Sequence, residues 1–294
     1  MPYQIQKRIQ VLKMTNLILK SVALLTLGLS FSQTWAASMC TETRKIGLVP
    51  ATINCPTKSL RLPADLLGTV TRGVTYQIPQ GSAPKEGWPV VFIYQGSFGL
   101  INNFFYASNY PFGIYHEGLL IQKLLDHGYA VIAPHAVAGS VWETNAPIFK
   151  TAYTTSGDYR FITNVLNAVK DGKFGPLNPN RQYAAGLSSG GYNTSRMAVS
   201  FPGQFKALAI QSASYATCLG PVCFIPENLP KDHPPTLLQH GSADLIVPWI
   251  TAQTYYDRLL SQGIKTSFYT EPNAGHGWFA SSPDRVLKWF EQNP

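Results

Sequence analysis

The stretch 182–198, QYAAGLSSGGYNTSRMA, decides the reading of this chain. Residues 181–187, RQYAAGL, have the small and apolar pattern of a buried strand. They run without a break into glycines and two serines, and 190–203, GGYNTSRMAVSFPG, then reads as a helix that Pro202 stops. A nucleophile on so sharp a strand-to-helix turn needs small residues two positions before and after it, because side chains there would collide with the neighbouring strand and helix. Gly186 and Gly190 flank Ser188 in that way, whereas centring the turn on Ser189 would put Leu187 at the first of these positions. Ser188 is therefore the candidate nucleophile.

Outward from this turn the chain alternates strands and helices. Strands are expected at 73–79, 88–94, 129–134, 181–187, 205–213, 235–241 and 265–271. Helices are expected at 118–128, 157–172, 190–203, 251–263 and 282–292. The run WPVVFIY at 88–94 is apolar throughout, as a strand covered on both faces must be. The alternation predicts a mostly parallel central sheet with helices on both faces. About two dozen residues separate the strands at 205–213 and 235–241, too few for a large cap domain.

A serine hydroxyl needs a base, and the base needs an orienting acid. Three histidines follow Ser188. His233 lies before a strand, His240 ends one, and His276 sits in the glycine-flanked loop NAGHGW after the last expected strand. Loop context and the order Ser, Asp, His select His276. Asp244, in HGSADLIVP, follows a strand end and is the preferred acid over Asp232 and Glu271. Two backbone N–H groups should face the developing oxyanion, one from Ser189 and one from Ser97 in the loop QGSFG. Gln95 could hold that loop or contact substrate. The aromatic segment that follows suggests Phe98, Phe104, Phe105 and Tyr106 as substrate contacts, and the irregular stretch 135–156 adds Trp142. No metal or cofactor is called for.

The chain has 294 residues, 45% apolar and 13% charged, enough for one domain with a large core. Lys7, Arg8, Lys13 and Lys20 precede the apolar run SVALLTLGLSF and the small residues around Thr34 and Ala36. Residues 1–37 thus read as a secretory signal peptide, leaving 38–294 as a single catalytic domain without a membrane anchor. Residues 1–37 hold four basic and no acidic residues, so the formal charge falls from +8 to +4 without them. No Lys/Arg block suggests nucleic acid as a partner. Export places the four cysteines in an oxidising setting. Of three possible pairings, neighbours in sequence favour Cys40–Cys55 and Cys218–Cys223.

YQGSFG, LLDHGYAVIAP, GLSSGGYNTSRMAVSFPG, DHPPTLLQHG and GHGWFA together closely resemble the extracellular medium-chain-length polyhydroxyalkanoate depolymerases of Gram-negative bacteria. The resemblance covers nearly the whole chain after the leader. It implies an α/β-hydrolase fold, a triad of Ser188, Asp244 and His276, release through the periplasm to the outside, and a hydrophobic polyester as substrate. A broad secreted carboxylesterase or lipase would use the same residues. A non-catalytic binding protein on a hydrolase fold is the third reading, and turnover of a p-nitrophenyl ester would eliminate it. Side-chain length preference and oligomeric state are not legible in these motifs.

Overall fold

In the computed structural model the described residues are 36–97, 105–145, 153–218, 220 and 222–294. The signal-peptide reading of 1–37 thus falls almost wholly outside them. Strand β5 (Trp88–Tyr94) is buried at every position, as its unbroken apolar run requires. Around it an eight-stranded sheet has the order β11-β10-β9-β8-β5-β7-β4-β3. The flanking strands are β7 (Ala130–Pro134), β8 (Leu177–Leu187), β9 (Ala207–Gln211), β10 (Thr236–Gly241) and β11 (Thr266–Glu271). All of these pair in parallel. Only β4 (Thr71–Gln77) and β3 (Lys58–Pro63) run antiparallel, at one end of the sheet.

The two-residue period of β5 sorts its side chains between two cores. Val91 and Ile93 join Leu120, Ile121, Leu124 and Leu125 of helix α1 (Ile114–Asp126) and Val286 and Phe290 of α5 (Ser282–Glu291) on one face. Val90, Phe92 and Tyr94 join Phe161, Ile162 and Val165 of α2 (Gly157–Lys170) and Met197 of α3 (Ser189–Ser200) on the other. Helix α4 (Trp249–Ser261) buries Ala252, Tyr255 and Leu259 in a third cluster beside α3. Residues 212–235 hold no helix or strand among those described.

A small antiparallel sheet was not foreseen from sequence. It is made of β1 (Thr41–Thr43), β2 (Thr52–Asn54) and β6 (Phe105–Ala107). Its strands are three residues long, and two things hold them. Ile53 and Tyr106 sink into the α1 core, and a disulfide joins Cys40, just before β1, to Cys55, just after β2. The second disulfide joins Cys218 to Cys223 in the turn region after β9.

The chain entropy released by closing a loop grows with its length. The Cys40–Cys55 bridge spans 15 residues and the Cys218–Cys223 bridge spans 5. Replacing both cysteines of the longer bridge by serine should lower the unfolding free energy by about 3 kcal/mol, against about 2 kcal/mol for the shorter one. Urea denaturation of the two double variants checks the order of these losses.

Candidate active site

Parallel strands deliver all their C-terminal ends to one edge of the sheet, and the loops leaving that edge form the site. Leu187 is the last residue of β8 and Ser189 the first of α3, so Ser188 alone makes the turn. Its backbone has φ 55 and ψ −122, a conformation that costs a residue with a β-carbon of order 1–3 kcal/mol. Two hydrogen bonds hold it: Ser188 N–H to Gln211 O at 3.0 Å, and Tyr192 N–H to Ser188 O at 3.0 Å. A β-carbon on Gly186 would lie 2.4 Å from Gly190 O, and one on Gly190 only 2.0 Å from Tyr94 O. Both glycines are thus fixed by backbone packing. Ser189 differs from Ser188: it is buried, and its Oγ accepts the Trp142 N–H at 3.2 Å.

Asp244 follows β10. Its Oδ1 accepts the N–H groups of Ile246 and Val247, each at 2.9 Å, and its Oδ2 lies 2.8 Å from His276 Nδ1. The same Oδ2 is 3.2 Å from Nε2 of His240, which is also 2.9 Å from Val247 O. Facing two acceptors, that His240 nitrogen carries a proton. Burial by itself would push the Asp244 carboxyl up. The bonds from His240, His276 and Val247, with the nearby His276 charge, outweigh it and hold Asp244 below the usual carboxylate range. An ionised Asp244 accepts a hydrogen bond from His276 Nδ1–H, which keeps the ring proton at Nδ1 and leaves Nε2 as the acceptor of that ring.

Gln211, at the end of β9, carries no motif and was not singled out from sequence. It is buried, and it joins the serine turn to the histidine loop. Its backbone O holds Ser188, while its side chain donates to Gly277 O at 2.7 Å and accepts from Ser282 Oγ at 2.9 Å. Ser212 Oγ adds a second bond to Gly277 O at 3.0 Å. The next residue, Trp278, donates its N–H to Phe112 O and its Nε1–H to Glu117 Oε2. Phe112 meets the His276 ring edge-on at 5.6 Å and is another neighbour that sequence did not identify.

Ser97 is half-buried in the loop after β5, and Gly190 of the serine turn lies directly beneath that loop's Gln95. The Gln95 side chain is buried and donates to Gly139 O at 3.0 Å, so it ties two loops together and faces no substrate. Trp142 is corrected in the same way. Its indole is buried beside Tyr94 and the Arg72 guanidinium, and Nε1–H donates to Gln95 O at 3.0 Å. Tyr106 too is a core residue, with its hydroxyl 3.2 Å from Glu117 Oε1. Phe105 is exposed and edge-on to Tyr110. Phe98 and Phe104 lie outside the described residues.

Glu117 is buried between Tyr106 and Trp278. Burial drives its carboxyl up to about 7, and the two donors only partly oppose this. The ordinary value is 4.5, so the folded chain binds this proton more tightly than the unfolded one. The resulting stability is complete below pH 4.5 and is lost as pH rises through about 7. Glu117→Gln keeps the shape and removes the titration. Relative to wild type, the variant should gain on the order of 3 kcal/mol between pH 4 and pH 8. Urea denaturation at both pH values measures it, and a pH-independent difference would exclude this role for Glu117.

The site's surroundings have relatives. Residues 225–293, which include Asp244 and His276, match the prolyl oligopeptidase family. The chain is 59% identical over 259 residues to the poly(3-hydroxyoctanoate) depolymerase of Pseudomonas fluorescens, an alignment that covers 88% of this chain and 92% of that protein. Among solved structures, an S-formylglutathione hydrolase of Staphylococcus aureus superposes with a TM-score of 0.54 at 15% identity, covering 84% of this chain and 99% of that one. An S-formylglutathione hydrolase of Agrobacterium tumefaciens does so with a TM-score of 0.55 at 13% identity, covering 86% and 99%. These two show the shared fold, and the sequence identity shows the family. The chain belongs to the poly(3-hydroxyoctanoate) depolymerase family, ester hydrolases built on the α/β-hydrolase fold.

Proposed function

We propose that this chain is a secreted serine hydrolase that cleaves polyesters of 3-hydroxyalkanoates with medium-length side chains through an acyl-enzyme on Ser188. The observation that carries the mechanism is the 2.8 Å contact between an ionised Asp244 and His276 Nδ1, on the sheet edge where Ser188 makes its strained turn. His276 Nε2 takes the Ser188 hydroxyl proton as Oγ attacks the ester carbonyl. The oxyanion receives hydrogen bonds from the Ser189 and Ser97 N–H groups. Ser189 supplies a first-turn helix donor that has no intrahelical acceptor. Collapse breaks the ester C–O bond, and His276 returns the proton to the departing 3-hydroxyl group. Water, activated by the same imidazole, then releases the acyl unit as a carboxylic acid.

The polyester assignment draws on the 59%-identical relative, whose name gives poly(3-hydroxyoctanoate) as its substrate. The leader-like residues 1–37 and two disulfides support export.

Ser188→Ala should lose at least about a thousandfold in ester turnover with unchanged circular dichroism, as expected when a nucleophile is removed. Ser189→Ala should stay within about tenfold of wild type, because only its backbone N–H acts on the oxyanion. A dead Ser189→Ala beside an active Ser188→Ala would reassign the nucleophile. The substrate reading is tested by release assays on polyhydroxyoctanoate and polyhydroxybutyrate films. Faster release from the octanoate polymer is expected, since each extra buried methylene is worth roughly 0.8 kcal/mol. Equal or faster cleavage of the butyrate polymer would reject the medium-chain assignment.

A further inference from the structure

Charge is distributed along this chain in a pattern that the parallel sheet turns into geometry. Charged residues stand just before the parallel strands or at their starts: Lys85 and Glu86 before β5, Asp126 before β7, Arg181 early in β8, Lys206 before β9, Lys231 and Asp232 before β10, and Lys265 before β11. After the strands come long runs without charge. Residues 87–115, 128–142, 182–195, 207–226, 245–256 and 272–283 contain no Asp, Glu, Lys or Arg. Because these strands are parallel, their starts gather charges on one side, and among the described residues the loops that leave their C-terminal ends, which carry Ser188, Asp244 and His276, hold few; Arg61 and Asp65 stand at the far end of that side, where β3 and β4 run antiparallel. Nearest the site, Asp244 and Glu117 are buried, Glu143 accepts the Asp158 N–H, and Glu271 pairs with Arg285.

The charge-poor side that follows the parallel strands also holds out aliphatic side chains on hydrogen-bonded turns. Asp244 Oδ1 caps the N–H groups of Ile246 and Val247, which makes a tight turn with Leu245 at its corner. Leu245 is 97% exposed, Ile246 58% and Ile250, in the first turn of α4, 53%. Next to them the Cys218–Cys223 loop is tied to that first turn, where Ser214 Oγ donates to Thr251 O at 2.6 Å and Cys223 Sγ lies 3.9 Å from the same oxygen. Val222 on this loop is 50% exposed. Four aliphatic side chains thus stand in water beside the Asp244 turn and the first turn of α4.

We propose that the corner formed by Leu245, Ile246, Ile250 and Val222 is the adsorption face through which the enzyme seats its site edge on the surface of an uncharged aliphatic polyester. The identity of that surface rests on the proposed function. Such a polymer offers alkyl groups and ester carbonyls but no counter-ion. A charged side chain pressed against it would lose its hydration with nothing in return, whereas exposed aliphatic groups gain from contact. A small soluble ester makes no demand on exposed side chains away from Ser188 and His276.

The test uses Leu245→Glu, Ile250→Glu and their double variant, with Lys206→Glu on the opposite edge as control. Binding is read as depletion of protein from solution by polyhydroxyoctanoate latex, in a Ser188→Ala background so that the polymer is not consumed. Turnover is read in active enzyme on p-nitrophenyl acetate and on the latex. The double variant should lose about tenfold or more in latex affinity. Its latex hydrolysis at low polymer load should fall with it, while its p-nitrophenyl acetate turnover stays within about twofold of wild type and the control keeps its latex affinity. Unchanged latex binding by the double variant would overturn the proposal. So would a parallel loss of soluble-ester activity in both the Glu variants and Leu245→Met, which would make the corner a support of the site. A wild-type dimer split by Leu245→Glu in sedimentation would assign the face to a second copy of the chain. Wild-type enzyme that turns over the soluble ester but neither binds nor cleaves the latex would instead defeat the underlying substrate reading.

Discussion

The backbone of Ser188 is held where a residue with a side chain does not rest of its own accord, and much of the surrounding packing follows from keeping it there. The turn needs β8 and α3 to meet at close quarters, which only glycines at 186 and 190 permit. It needs an anchor for the Ser188 N–H, which Gln211 O provides from the neighbouring strand. It also needs the following helix to be immobile, and α3 is buried along nearly its whole length. The cost at one residue is thus spread over two strands and a helix. The gain is a hydroxyl standing clear of the sheet edge, close to the loops that carry the other groups.

Carboxyls inside the protein meet opposite fates, and the donors around each decide which. Asp244 has four N–H groups directed at its two oxygens and stays ionised despite burial. Glu117 has one indole and one phenol, and burial prevails. Asp158 lies between these two. Burial raises it to about 6 even with Arg72 at 2.6 Å, and the pair anchors the segment after β7 through Arg72 bonds to His135 O. Counting donors separates the acid kept charged beside His276 from those that tie elements together.

The central strands were legible because burial on both faces leaves no polar position to confuse the period. β5 falls on residues 88–94 as expected, and β7, β9, β10 and β11 lie within the expected ranges. β3, KSLRLP, escaped because the outer strand of the sheet carries exposed lysine and arginine and reads as a loop. The small sheet escaped because three-residue strands have no period, and their order comes from a disulfide and from two residues that pack on a helix. The strained turn at Ser188 and the contact between Asp244 and His276 were readable from glycine spacing and chain order. The surrounding aromatics were not, since Trp142 and Tyr106 have the composition of a binding surface and only the fold turns them inward. Gln211 had no local signal at all, because its role exists only after β9 lies between the two loops it joins.

His276 follows β11, the last strand on its side of the sheet order, while Ser188 leaves β8 near the centre. End strands open more readily than central ones in local unfolding. An imidazole hung from β11 alone would share that strand's fraying. The loop instead reaches past β10 to Gln211 at the end of β9 and Ser212 just after it, and then fastens to Glu117 on α1. Its cooperative unit is therefore the centre of the molecule, and the separation between Ser188 and His276 follows the global unfolding of the core and not the breathing of the strand from which the loop departs.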